Sequence, residues 1–371
     1  MKVLFVGLGN LGSQVKDLFL LRNAERHTFM VAGKRPTYLR ERIGLTAYSA
    51  MQLDLSPDVQ VTSLDVLNVD QTAQTLSVLK PDILFCALTL QPWLTMRKLP
   101  PPVFEALYQA TTGPWLPLTL TPVYQLMQAI KQSGTDARVI NGSFPDTINA
   151  VLGKVGLAPT IGIGNLANAV PALRQSIALD LGLSAEQVEL LVYGHHGLLH
   201  KILHDGDAGE IPFHLTVYVN GEDRSHLIER KTVFARLPTT IQHEHTQILT
   251  AGSAVSVIEA MTRSTSSLVH APGPDGLVGA YPVRIERDGP LEVVLPEGLT
   301  LAEAIGINED GQRFDGIEKI EDDGTVWFME KNMAILKDIL GYDCRRMPLS
   351  EVEGRARELQ TKYRALASKY R

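Results

Sequence analysis

Along residues 1–90, short apolar runs alternate with stretches whose apolar positions recur at helical spacing. Val3, Leu4, Phe5 and Val6 form an unbroken apolar run, the pattern of a strand covered on both faces. Residues 11–21 place Val15, Leu18, Phe19 and Leu21 on one side and predict a helix. Further strands are predicted at 28–32, 59–65 and 83–88, with a helix at 71–79 and a turn at Lys80-Pro81-Asp82. Strands and helices in such alternation predict an α/β fold built on a doubly wound parallel sheet.

Residues 91–122 break the pattern. Pro92, Pro100, Pro101, Pro102, Pro114, Pro117 and Pro122, with Trp93 and Trp115, predict an irregular segment of the kind that forms lids or binding loops. A helix at 122–132 and a fifth strand at 138–141 complete a first domain, bounded at residue 145. From 146 to 371 the pattern becomes α+β. Helices are predicted at 147–155, 167–181 and 251–262, and strands at 213–219 and 232–235. A hairpin at 281–285 and 291–295 turns on Asp288-Gly289, and a charged helix at 350–370 closes the chain.

Composition narrows the function classes. A net charge of −6 lacks the basic excess that nucleic acid calls for. Cys86 and Cys344 are too few for a disulfide framework or a cysteine-rich metal site, and they fit a reducing compartment. No apolar stretch approaches the roughly 18–20 residues that span a bilayer, and the apolar start is too short for a leader. The expectation is a cytoplasmic protein without membrane or nucleic-acid partners.

Gly7-Leu8-Gly9-Asn10-Leu11-Gly12 is a G-x-G-x-x-G between the first strand and the first helix. Gly7 permits the tight turn, Gly9 admits a pyrophosphate to the backbone, and Gly12 lets helix and strand approach. The phosphates then meet the free N–H groups of the helix start. This spacing in this place predicts a Rossmann dinucleotide-binding domain. An NAD site calls for an acidic residue after the second strand, but the chain there reads Gly33-Lys34-Arg35, with Arg40 nearby. Arg35 can pair with a 2′-phosphate through two parallel hydrogen bonds, so NADP is expected, with NAD as the alternative. Asp65 and Val66 are expected at the adenine, and Ala87 and Leu88 beside the cofactor at the end of the fourth strand.

Tyr193-Gly194-His195-His196-Gly197 places histidines between glycines at a strand end, where a cleft-facing imidazole can move protons near neutral pH. No carboxylate or cysteine sits at ligand spacing, so no metal is expected. At this point the chain resembles the lactate/malate dehydrogenase superfamily. The similar segments, in order, are the glycine loop, Ile140-Asn141-Gly142-Ser143-Phe144-Pro145-Asp146, Gly162-Ile163-Gly164-Asn165-Leu166-Ala167-Asn168, and Gly194-His195-His196-Gly197. Gly252-Ser253-Ala254 and Gly279-Ala280-Tyr281-Pro282-Val283 follow.

The resemblance implies an α+β catalytic domain of lactate/malate dehydrogenase type and a homodimer. It implies His196 as acid–base, Asn141 bonding the substrate oxygen or the nicotinamide, Arg97 as the loop arginine that polarises the carbonyl, and Ser253 in contact with substrate. It also marks departures. Asn168 stands where the superfamily has the aspartate that orients the histidine, and Pro171 where it has the arginine that grips a carboxylate. Arg174, one turn further on, is the candidate substitute. The function implied is an NADP-dependent oxidoreductase for a hydroxyl/carbonyl small molecule, 2-hydroxy/2-oxo acid-like or larger. Two alternatives stand beside it: an NAD-dependent glycosidase of the family 4 type, whose ligand positions neither cysteine occupies, and a non-catalytic NADP-binding protein.

Overall fold

The structure, a computed structural model, describes all residues except 24–25, 238–246 and 371, and omits the side chains of 93 and 94. Strand β1 (Lys2–Val6) buries Val3, Leu4, Phe5 and Val6, so both of its faces must be covered. It lies between β2 (Thr28–Gly33) and β4 (Ile83–Cys86). With β3 (Asp58–Ser63), β5 (Arg138–Asn141) and β6 (Ile161–Gly162), these strands form a six-stranded parallel sheet in the order β3-β2-β1-β4-β5-β6. The order reverses between β1 and β4. Open α/β sheets bind ligands outside the carboxyl ends of their strands at such a point.

Helices α1 (Asn10–Asn23), α2 (Pro36–Met51) and α3 (Val69–Leu79) make the crossovers. The sequence pattern does not reveal α2. Its buried stripe is Leu39, Ile43, Thr46 and Ala50, while Leu45, Tyr48 and Met51 stay exposed, which smears the apolar period around the helix.

Residues 91–122 are not irregular, contrary to expectation. They hold a 3₁₀ turn at Trp93–Lys98, α4 (Pro101–Tyr108), a turn at Gly113–Trp115 and the start of α5 (Pro117–Ser133). The prolines open first turns, where no intrahelical N–H is required, and only Pro122 lies inside a helix.

In the second half, α6 (Pro145–Lys154) and α7 (Val170–Leu181) precede β7 (Val188–Tyr193). Strand β7 pairs antiparallel with β8 (His214–Val219), and α8 (His196–Asp205) starts three residues past its end. The strand expected at 232–235 is instead a helix, Arg230–Ala235, that buries Val233 and Phe234; tertiary burial overrides β-propensity here. The hairpin expected at 281–285 and 291–295 forms, and Ser267–Pro272 adds a third strand. The closing helix, Val352–Ser368, packs on α5 and shares a core with Leu4 and Val6. The expected boundary at 145 therefore falls between the paired strands β5 and β6. No helix among the described residues is long and apolar enough to cross a membrane.

Candidate active site

The glycine loop sits at the reversal point, against the end of β4. Gly7 has φ +88°, and a Cβ on it would lie 2.5 Å from the Ala87 carbonyl oxygen. A Cβ on Gly12 would collide with the Gly7 carbonyl, whereas beside Gly9 the space is open. Gly7 and Gly12 are thus demanded by the loop itself, and Gly9 leaves bare backbone facing open space. Asn10 and Leu11 begin α1, whose first N–H groups point to the same space. These residues fit the pyrophosphate of a dinucleotide.

Behind the loop lies a buried amide framework. Leu88 donates its N–H to Ser143 Oγ at 2.7 Å. Asn141 Oδ1 accepts from the Ser143 N–H at 2.8 Å. Both amide hydrogens of Asn141 are occupied, by Asn149 Oδ1 at 2.9 Å and the Ser143 carbonyl at 3.2 Å. The expectation that Asn141 meets substrate or nicotinamide is corrected: fully buried, it shapes the loop that holds Leu88. Ala87 continues the ladder through its N–H to the Val6 carbonyl, 3.1 Å.

At the end of β2, Gly33 packs on Leu39, and Lys34 Nζ lies 2.9 Å from Asp65 Oδ1. Arg35 is exposed, its guanidinium 4.6 Å from the centre of the Tyr38 ring. Lys34 and Asp65 offset one another, while Arg35 and Arg40 are both exposed. Val66 is buried beside them.

The histidines follow from the way β7 hands over to α8. Gly194 still bridges to Ala280, His195 is fully buried before the helix, and the His196 N–H donates to Asp146 Oδ1 at 3.0 Å. Asn165, at φ +56°, holds the other Asp146 oxygen. His196 Nδ1 is 2.8 Å from Asp315 Oδ2, and His195 Nδ1 is 3.1 Å from the same oxygen. His196 Nε2 faces His200 Nε2 at 3.1 Å, one helical turn on, and His200 Nδ1 is 3.4 Å from the Tyr108 hydroxyl. The Phe144 ring covers His196 edge-on at 5.5 Å.

Burial disfavours the His196 imidazolium, but the charge and hydrogen bond of Asp315, with Asp146 behind, raise its pKa above the ordinary value. Burial would raise Asp315 too, yet His196 and His195 hold it far below the usual carboxylate range. His200 reaches solvent at one edge, but packing around its ring and the His196 charge push it well down. Tyr108 is raised, chiefly by burial; the Asp315 charge adds to this and Arg97 opposes it. Arg97 is exposed on the Trp93–Lys98 turn and acts at the outer end of this file.

Asn168, Arg174 and Ser253 gather elsewhere. With Gly252 and His270 they line a cavity of roughly 350 Å³ to which His196 does not contribute. Asn168 donates to Thr250 Oγ1 at 2.9 Å, and Ser253 Oγ accepts the Gly164 N–H at 3.0 Å. His270 accepts the Val192 N–H at 3.2 Å and is driven down to about 3 by burial and Arg174. The expectation that Asn168 orients His196 is therefore corrected. A carboxylate does so, supplied by Asp315 in the turn after the helix Leu301–Gln312. Its sequence signal was an aspartate before a glycine, common enough to pass unnoticed. His200 had a clearer signal, four residues from His196 on one helix face.

Among the described residues no group of three or more His, Cys, Asp or Glu is placed to hold a metal. Cys86 is buried in the sheet, its thiol pushed up to about 12, and Cys344 is buried as well.

Sheet, loop and helices together make a Rossmann-type α/β protein with an α+β second half. No family model matches the chain, and no curated protein matches it. Solved structures do. A lactate dehydrogenase of Eimeria maxima, solved with NADH and oxamate, shares 15% identity at TM-score 0.56 over 84% of this chain and 92% of that one. A malate dehydrogenase of Plasmodium falciparum, in complex with NADH, shares 16% at 0.55 over 84% and 95%. That of Aeropyrum pernix shares 16% at 0.55 over 84% and 96%. The chain has the lactate/malate dehydrogenase fold.

Proposed function

We propose that the protein is an NADP-dependent oxidoreductase for a hydroxyl/carbonyl pair of the 2-hydroxy/2-oxo acid type or larger, with His196 as its proton store. The observation that carries this reading is the His196–Asp315 pair, held at 2.8 Å beneath Phe144, the residue next to Ser143, which accepts the Leu88 N–H. In this reading Gly7, Gly9, Asn10, Leu11 and Gly12 hold the pyrophosphate and Arg35 the 2′-phosphate. Gly33, Lys34, Asp65 and Val66 line the adenosine end, and Ala87 and Leu88 the nicotinamide end. A bound nicotinamide supplies hydride transfer. Asp315 fixes the His196 ring and stabilises its imidazolium, and Arg97 is offered to the carbonyl oxygen.

NADH in two of the neighbours, and oxamate in one, support a nicotinamide and a small carbonyl compound. The non-catalytic alternative rested on Asn168 and Pro171, and Asp315 beside His196 weighs against the first of these. A cytoplasmic homodimer belongs to the same proposal; the exposed Leu45, Tyr48 and Met51 of α2 support the dimer, which sedimentation measures directly.

Fluorescence titration with NADPH and NADH tests the reading, followed by a screen of 2-oxo acids beginning with pyruvate and oxaloacetate. Tighter NADPH binding, lost in Arg35→Glu, supports it. Failure of both dinucleotides to bind overturns it.

A further inference from the structure

Asp315, His196, His200 and Tyr108 stand in one file, linked at 2.8, 3.1 and 3.4 Å. They come from the turn Arg313–Asp315, from α8 and from the end of α4. The His196 nitrogen not held by Asp315 faces His200. The outer end of the file, Tyr108, is partly exposed and lies within the field of Arg97.

We propose that His200 and Tyr108 carry protons between His196 and the substrate, so that the Tyr108 hydroxyl is the group that meets the substrate oxygen. This rests on the oxidoreductase reading. The groups facing His196 are Asp315, His195 and Asp146 behind it and His200 in front, and those facing the outer end are Tyr108 and Arg97. With His196 charged and His200 neutral, His196 Nε2–H donates to His200 Nε2, and His200 Nδ1–H donates to the Tyr108 oxygen.

During carbonyl reduction His196 passes its Nε2 proton to His200 Nε2. His200 passes its Nδ1 proton to Tyr108, and Tyr108 passes its hydroxyl proton to the carbonyl oxygen as hydride reaches the carbon. Each O–H or N–H bond broken is matched by one formed, and His196 is left neutral against Asp315. Oxidation runs the same path backwards.

Nitrogen-15 histidine NMR on the full chain tests the file without any turnover. At pH 6.5, the ordinary histidine value, we expect His196 mainly as imidazolium and His200 as the neutral Nδ1–H tautomer. Asp315→Asn then discharges His196 and switches His200 to Nε2–H. A charged His200 at pH 6.5 overturns the proposal. So does stoichiometric Zn(II) uptake by the apoprotein that His200→Ala abolishes, because the facing nitrogens are then metal ligands.

With NADPH and an oxo acid that turns over, Tyr108→Phe lowers kcat about 100-fold with little change in KM. His200→Ala does likewise, and added imidazole restores it. Wild-type kcat in Tyr108→Phe overturns the relay while leaving the oxidoreductase reading intact. Failure of the unmutated chain to bind either dinucleotide overturns that reading and the delivery to substrate with it, whereas the NMR result by itself decides whether the file forms.

Discussion

Asp315 Oδ2 accepts from His196 Nδ1 at 2.8 Å across 119 positions of chain. Asp315 is 1% exposed, so its charge has no recourse to water and depends on the two histidines beside it. Removing one partner of a buried pair strands the other, at a cost of about 3–5 kcal/mol. Asp315→Ala should therefore lower the stability by roughly that range in urea unfolding. Asp315→Asn, which keeps the shape and loses the charge, should unfold less easily than Asp315→Ala and still lose activity about 10²-fold or more. Equal stability of Asp315→Ala and the unmutated chain would mean that the pair does not form.

The pH dependence follows from the two shifts. His196 has a raised folded pKa, so its contribution is fully present below the unfolded value of about 6.5 and is lost as pH rises through the folded value. Asp315 has a depressed one, so its contribution is present above about 4 and is lost as pH falls. Both contribute fully between about pH 4 and 6.5. Carbonyl reduction, which needs the imidazolium, should hold steady in the lower part of that range and fall on the alkaline side. In Asp315→Asn the falling limb should move to lower pH; an unmoved limb would assign it to another group.

The glycines of the loop separate folding from binding. In Gly12→Ala the methyl meets the Gly7 carbonyl, so thermal unfolding and dinucleotide binding should both suffer. In Gly9→Ala nothing lies within 4 Å of the new methyl, so stability should stay within about 0.5 kcal/mol while NADPH affinity drops. Unaltered NADPH binding in Gly9→Ala would place the phosphates elsewhere.

The two asparagines should part company. Asn141→Ala removes a fully buried amide and leaves the Ser143 N–H and Asn149 unmatched, a loss of about 2 kcal/mol or more. Asn168→Ala releases only Thr250 and should leave the His196 titration, followed by NMR, where it is. A shifted titration would restore Asn168 as its orienting group.

What the amino-acid order determined by itself is whatever depends on near neighbours. Val3–Val6 is a strand because four successive apolar residues need cover on both sides. Gly7, Gly9 and Gly12 declare their loop because turn, ligand approach and helix packing act within six residues. The glycines around His196 likewise mark a strand running into a helix. Helix α2 escaped because its exposed Leu45, Tyr48 and Met51 follow no single stripe, and residues 91–122 looked irregular because prolines that open helices also break them.

Only the tertiary structure decided which acid serves His196. The resemblance pointed to Asn168, an amide, and nothing local singled out Asp315; the choice is made by where the turn after Leu301–Gln312 packs against the start of α8. The same holds for Tyr108, which reaches His200 from α4 across 92 positions. Charge pairing in a buried site is set by proximity in space, and a chain this long brings together groups that no local spacing relates.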